Sequence, residues 1–388
     1  VTYSVLSATA KLGIAAETTA ATYETPSFTV PFTAGTKYRS AITQLYDRTV
    51  RGTDADTQAI AQGHYWSDWA ITAGAYPDWA GWLYRGMIGP DTFTPGTVTT
   101  FAAAALPGAT SVSLEAAPPA SSVLMLGTGT ALEYAQAGTP SGPGPYTVPL
   151  TSALQYAHAA GDPAQSQATH LFRQDRPLGT GWPSYSLTTD DGVDQLGWPG
   201  CILGSTRLQI TAAGYAKLAS TWSGFPPGSV ATFGEDQSAA QPFAGWSWAI
   251  TTAGGTSTRG VALDLALTRA LDIVPGLNGY QGPYVIGAGP MRATGSYTAI
   301  YDTPADLNLY RQAIQEPAVW VLSQPALQGG ASITATLSLS GWTQGAVSLG
   351  EQYVSANYRL SGIANAADSP ESGVASVELS NFWNAAYT

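Results

Sequence analysis

The stretch "RGVALDLALTR" (residues 259 to 269) sets Val261, Leu263, Leu265 and Leu267 against Ala262, Asp264, Ala266 and Thr268 in strict alternation. Successive side chains on a strand point to opposite faces, so a period of two builds a sheet with one covered side and one wet side. The pattern recurs. "CILGSTRLQITAAGYAKLASTWSG" reads as two strands about a turn at Ala213 and Gly214, and "GWSWAITTAGGTST" predicts a hairpin turned by Gly254 and Gly255. "ASITATLSLSG", "QYVSANYRLSG" and "GVASVELSNF" close the chain with three more, and Ile333, Ala335, Leu337 and Leu339 are expected on one face. Antiparallel pairs, half covered, are the expected architecture.

Helix-period signals are confined to two stretches. In "AYPDWAGWLYRGMIGP", Pro77 suits a first turn, Trp79, Trp82, Leu83 and Met87 share a face, and Gly89 with Pro90 ends the helix. In "DTPADLNLYRQAIQEP", Thr303 is placed as N-cap, Pro304 and Asp306 in the first turn, and Leu307, Tyr310 and Ile314 on one face up to Pro317. Both read as single helices laid on a larger sheet.

Between Arg85 and Arg173 there is no Lys or Arg, and residues 96 to 162 hold short strands in "TSVSLEA", "SSVLMLG", "ALEYAQAG" and "YTVPLTSAL" between Gly and Pro turns. We read a small β module (96–162) inserted into a discontinuous β domain (1–95 and 163–388), with "PAQSQA" as linker and "THLF" as the returning strand. The polar segment 39–69, with Arg48, Arg51, Asp54 and Asp56, reads as a long loop; such length is uncommon without a partner or function.

Only 11% of the 388 residues are Asp, Glu, Lys or Arg, against roughly 25% in ordinary soluble domains. With 43 Gly, 26 Pro and 20 Tyr, this suits a surface buried against copies of itself, since interfaces deplete Lys and Glu and enrich aromatics. A net charge of −11 and three Lys argue against nucleic-acid binding by phosphate neutralisation. No run reaches the roughly 18 to 20 apolar residues of a membrane span, and "VTYSVLSATAKLG" lacks a leader pattern, so neither membrane nor visible secretion signal is expected.

Candidate chemistry is thin. "YAHAAGDPAQSQATHLF" holds His158 and His170 with Asp162 between them, but twelve residues across Gly161 and Pro163 is not metal-ligand spacing, and His64 is the only other imidazole. The single Cys201 excludes an intramolecular disulfide and reads as a buried apolar residue. No serine elbow or phosphate-cradling glycine loop is present. Asp190, Asp191 and Asp194 could serve a carbohydrate-active site, yet adjacent strand residues face opposite ways, and "TTDDGVD" reads more simply as a turn without EF-hand spacing. No catalytic, cofactor or metal residue is assigned.

In order along the chain, "LGIAAETTAATYETPSFTVPF" (12–32), "PDWAGWLYRGMIG" (77–89), "THLFRQDRPLGTGWPSYSLTTDDGVDQLGWPGCILGSTRLQITAAGYAKLASTWSG" (169–224), "YTAIYDTPADLNLYRQAIQ" (297–315) and "SVELSNFWNAAY" resemble the major tail tube proteins of long-tailed, siphovirus-like bacteriophages. The resemblance implies a mainly β, antiparallel β-sandwich with one or two short flanking helices. Six copies would form a hexameric ring whose hairpins merge into a shared inner β-barrel, and rings would stack into a hollow tube in the virion tail. Its implied partners are itself, a tape-measure protein in the lumen, tail terminator and distal tail or baseplate proteins at the ends, and DNA in passage without specific binding.

On that reading hairpins 202–223 and 244–268 are expected at the lumen, with Ala262, Asp264, Ala266 and Thr268 facing the channel. The acidic balance would suit a wall that DNA slides past. Arg48, Arg51, Asp54 and Asp56 are expected at contacts between subunits or rings. The rival reading is a carbohydrate-binding tail or cell-surface module, because Trp and Tyr stack on sugars.

Overall fold

The computed structural model describes residues 10–52, 54–174, 182–230, 240–252, 255–257, 259–277, 279–350, 353–365 and 373–388. The chain opens with β1 (Lys11–Ala16), β2 (Phe28–Thr29), β3 (Lys37–Asp47), β4 (Ala59–Gly74), α1 (Pro77–Met87) and β5 (Asp91–Thr94). Six short strands follow: β6 (Val98–Thr100), β7 (Ser111–Leu114), β8 (Val123–Leu126), β9 (Glu133–Gln136), β10 (Tyr146–Pro149) and β11 (Pro163–Ser166). Next come β12 (Ala168–Phe172), β13 (Tyr185–Asp190), β14 (Gln195–Thr211), β15 (Lys217–Gly224) and β16 (Gly228–Ser229). Then β17 (Trp248–Thr252), β18 (Gly255–Ser257), β19 (Gly260–Thr268), β20 (Leu271–Pro275), β21 (Pro283–Ala288) and β22 (Arg292–Ile300) lead to α2 (Ala305–Arg311). The last strands are β23 (Gln315–Ser323), β24 (Ser332–Leu349), β25 (Val354–Gly362) and β26 (Ser376–Asn381).

The described strands pair antiparallel throughout. Hydrogen-bonded neighbours run β3, β4, β15, β14, β19, β22, β25, β24 across the broadest part of the sheet. Alternation dictates its two faces. Leu208, Ile210, Leu218, Trp222, Leu263, Leu265, Leu267, Tyr297, Tyr358 and Leu360 are buried on one side. Val261 falls on that side but is only half-buried.

A second layer covers this apolar face. Trp248 of β17, Trp320 and Leu322 of β23, and Ile333 and Ala335 of β24 pack on Leu208, Ile210 and Leu263. Gly295 makes room for Trp320, since a Cβ there would stand 2.4 Å from the indole. Fully burying each large side chain contributes roughly 1.5–3 kcal/mol, so the two layers supply most of the driving force.

Helix α1 starts with Pro77 at its first turn, as the sequence predicts, but is covered almost all round instead of lying on a surface. Trp82 meets Phe28, Tyr185, Trp383 and Tyr387, which draws the chain's C-terminal segment over the helix. Helix α2 is shorter than expected. Thr303 accepts a hydrogen bond from the Ala305 N–H at 3.4 Å, but the chain leaves the helix after Arg311, and Ala313 adopts φ 52°. Ile314 therefore lies outside it, and of the expected face only Leu307 is buried.

Three further expectations change. The alternation of β24 slips, so that Leu339 is half-buried and Ser340 fully buried, because a bulge sits opposite Glu316 and Ala318. Segment 39–69 is a long hairpin of β3 and β4, not a loop. Its outer half is exposed on both faces, so no apolar alternation marks it. Strands β17 and β18 form the predicted hairpin, with Gly255 at φ 103° and Gly254 outside the described residues. They join β23, whereas β19 pairs with β14 and β22, so residues 244–268 are not one hairpin.

The small strands between β5 and β12 form a four-stranded sheet in the order β6, β11, β8, β9 and a separate β7–β10 pair. They bury their own cluster, including Phe101, Leu114, Leu124, Leu126, Val148 and Leu154. "PAQS" is not a linker: it is β11, central in that sheet. The attachment is close. Gly96 and Asn384 exchange hydrogen bonds, Gln165 and Gln167 donate to the carbonyls of Phe382 and Gly329, and Tyr134 lies 5.5 Å from the Phe382 ring. A Cβ at Gly96 would stand 2.1 Å from the Ser166 carbonyl oxygen, so the two crossing chains touch where they leave the main sheet.

Candidate assembly surface

The uncovered face of the broad sheet is lined by small and polar side chains. Ala262, Asp264, Ala266 and Thr268 of β19 lie there, beside Ser205, Arg207, Gln209 and Thr211 of β14 and Arg292, Thr294, Ser296 and Thr298 of β22. Asp264 accepts from the Arg207 guanidinium across the β14–β19 joint, and Asp68 accepts from Arg39 at 2.8 Å across β3–β4. Lys37, Arg39, Arg207, Lys217, Arg292 and Arg359 face Asp68 and Asp264 on this side, so the acidic balance of the whole chain does not reside on it.

Each end of the broad sheet leaves an edge. Among the described residues, β3 pairs only with β4, and β24 beyond Trp342 pairs only with β25. Tyr38 of β3 stacks on Trp69 and donates to the Asp191 carboxylate at 2.9 Å. Burial and that carboxylate push its phenol up to about 12. Backbone N–H groups of Asp194 and Val193, then the Tyr38 hydroxyl, hold Asp191 below its ordinary range. Asp190 and Asp191 also accept from the N–H groups of Gly192, Val193 and Asp194, so "DDGVD" is the turn that composition suggested.

The β3–β4 hairpin carries the four expected contact residues at its tip. Arg48 stands 3.6 Å from Asp56, Arg51 pairs with Asp47, and Asp54 is exposed. Leu45, Tyr46, Val50 and Ile60 are exposed on the same projection. The β20–β21 hairpin lies beside it, through a bond from the Tyr65 N–H to the Gln281 carbonyl, and exposes Leu277, Tyr280 and Tyr284. Clustered exposed apolar side chains of this kind mark an interaction surface. Sequence reading missed β20 and β21; their signal was "LDIVP" and "PYVIGA" around a Gly-rich turn.

The histidines belong to two different cores. His158 is buried in the small module, its Nε2 2.8 Å from Glu133 and its ring stacked on Phe101. His170 is buried in the main body, with Nδ1 2.8 Å from Asp91 and Nε2 2.9 Å from the Trp383 carbonyl. Each ring holds neighbouring segments together. Burial pushes the Cys201 thiol far up its scale, which removes the reactive thiolate. Trp69, Trp79, Trp82, Trp198, Trp222, Trp320 and Trp342 are buried, so much of the tryptophan content that suggested sugar stacking fills the interior, while Trp246 and several tyrosines are exposed.

A broad antiparallel sheet with a polar open face, two open edges and apolar projecting hairpins defines a structural protein of the self-associating β class. A family model for phage tail tube proteins matches residues 7–319, and the chain belongs to that family. It is a structural component of the phage tail, in the virion, and not an enzyme. No curated protein matches the chain.

Proposed function

We propose that the chain associates through its sheet edges into rings of six tube units, and that the rings stack into the hollow tail tube through which the genome leaves. The observation that carries this is the pair of open edges flanking one sheet. Exposed edges invite uncontrolled pairing, and closing them on copies of the same chain removes the hazard. A head-to-tail contact of this kind either closes a ring or runs on as a filament.

The polar face then becomes the inner wall, with Ala262, Asp264, Ala266 and Thr268 toward the channel. Small Ser, Thr and Ala side chains offer little for reading bases, and the excess of Lys and Arg over Asp on this face would attract DNA through its phosphates whatever its sequence. A tape-measure protein would occupy the lumen during assembly, and terminator and distal tail or baseplate proteins would close the ends. Negative-stain microscopy of the purified protein should show uniform hollow tubes or rings, and compact monomers at high concentration would overturn the reading.

Arg48, Arg51, Asp54 and Asp56 on the projecting hairpin form contacts between neighbouring subunits or stacked rings. Arg51→Glu should lower tube yield or mean length several-fold, because it places two carboxylates together at Asp47 and reverses the charge offered to a neighbour. Tubes of normal length and yield would remove the tip from assembly.

The small module forms a separate domain on the tube exterior, set in a discontinuous main domain. Its own core and its touching entry and exit strands support this. Replacing residues 97–166 by a short Gly-Ser bridge should leave tube formation intact. Removing only 97–162 should reduce soluble yield, because β11 would lose both of its partners, β6 and β8. Loss of tubes on the complete replacement would show that the module takes part in the wall.

A further inference from the structure

We propose that this chain is two tube units in tandem, so that a ring closes with three chains instead of six; this rests on the tail-tube reading above. The support is a repeat of pairing that residue identity does not display. In the first unit β1 pairs with β2 and β13, β14 with β13, β15 and β16, and β4 with β15 and β3. In the second, β17 pairs with β18 and β23, β24 with β23, β25 and β26, and β22 with β25 and β19. Strand for strand, in chain order, the two networks are the same. Each unit also sends one helix, α1 or α2, out of the corresponding strand, β4 or β22.

The irregularities repeat as well. Between β13 and β14 the register moves from Tyr185↔Cys201 to Leu187↔Trp198; between β23 and β24 it moves from Glu316↔Ser340 to Ala318↔Leu337. A second bulge falls between Leu203 and Ser205 opposite β15, and its counterpart falls between Trp342 and Gln344 opposite β25. Two bulges at identical spacing on equivalent strands are specific features, since each adds a residue at a defined point. The additions that distinguish the units are the small module after α1 with the flanking strands β5 and β12, which pair with each other and, through β12, with β26, and the β20–β21 hairpin within β19–β22.

The joint between the units shows how chains join. Strand β14 of the first unit pairs with β19 of the second, with Arg207 opposite Ala266. The strand equivalent to β14 is β24 and the strand equivalent to β19 is β3, the two that end the broad sheet. Carrying the register across the shared bulges and pairings makes Arg207 equivalent to Ala346 and Ala266 equivalent to Arg39. Ala346 of one chain therefore lies opposite Arg39 of the next. Each chain already contains one such joint, and three chains supply the six units of a ring.

The test uses the full chain with Arg39→Cys and Ala346→Cys together. Directly opposed residues bring Cβ atoms about 4.5–5.5 Å apart, which small shifts bring into disulfide range. The native Cys201 is buried and stays out of the exchange. Oxidised tubes run on a non-reducing denaturing gel should give a ladder ending at three chains, and either single variant should give none. A ladder continuing to six would overturn the tandem count while leaving the tube reading in place, and intact tubes without a ladder would overturn the joint. If the double variant does not assemble, rings of the unmodified protein decide by native mass: three copies of the 40.1 kDa chain, about 120 kDa, support the proposal, and six copies overturn it. Failure of the unmodified protein to form any ring or tube would overturn the tail-tube assembly reading instead.

Discussion

Leu265→Asp should prevent the chain from folding, while Asp264→Leu, one residue away, should leave its fold intact. Leu265 is 3% exposed, faces the second layer and is flanked in register by Leu208 and Gly295. Removing a buried Leu costs about 2–5 kcal/mol through lost contacts and a cavity. An ionised carboxylate in the same place adds several kcal/mol more unless it takes up a proton. Total stability of roughly 5–15 kcal/mol does not absorb that sum. Asp264 lies on the wet face in an ion pair with Arg207, whose side chain is 54% exposed, so its loss should cost at most about 1 kcal/mol. Soluble yield and circular-dichroism melting distinguish the two; a stable, cooperative Leu265→Asp variant would contradict the assignment of the faces.

Val347→Lys should abolish ring closure, whereas Ser348→Glu should allow it. At the internal joint Leu208 and Leu265 are each 3% exposed; their counterparts at the chain ends, Val347 and Tyr38, are each 38% exposed. Closing a ring would bury the second pair as the first is buried already. A lysine at Val347 would carry its ammonium into that contact, at an effective penalty of several kcal/mol per joint. About 3 kcal/mol already weakens association more than a hundredfold. Position 348 faces the wet side, and the same register sets it opposite Lys37 of the next chain, as Gln209 is opposite Asp264 at the internal joint, so a carboxylate there meets an opposite charge. Sedimentation velocity should find the Val347→Lys chain folded and monomeric where the parent assembles. Normal rings from Val347→Lys would refute the edge joint.

Period-two alternation made strands β14, β15, β19, β24, β25 and β26 legible, because each presents one side to a core and one to water. The same rule failed on β3 and on the outer part of β4, whose side chains meet solvent on both sides within one chain. The bulge that buries Ser340 was equally hidden, since an inserted residue shifts parity without altering the pattern of residue types before it.

The candidate surface divides in the same way. Ala262, Asp264, Ala266 and Thr268 could be placed on a wet face from their spacing alone, and the structure sets them there. Which strands flank them could not be read, because β14 and β22 lie far from β19 along the chain or beyond an intervening hairpin. The cationic character of that face was masked for a related reason: net charge sums the whole molecule and does not say which side of a sheet a residue occupies.

By itself the sequence determined a β protein of low charge, helix α1 with its proline start, two structural histidines and an Ala/Gly/Pro-rich segment with strands of its own. Local periodicity, turn chemistry and composition are enough for these. Tertiary structure alone decided that 37–74 forms a projecting hairpin, that Pro163–Ser166 is a central strand, and that one pairing scheme occurs twice. The physical reason is that strand pairing is a contact between distant backbone groups. Register and bulges can persist while the side chains along them change, so the repeat survives in hydrogen bonds where residue identity no longer displays it.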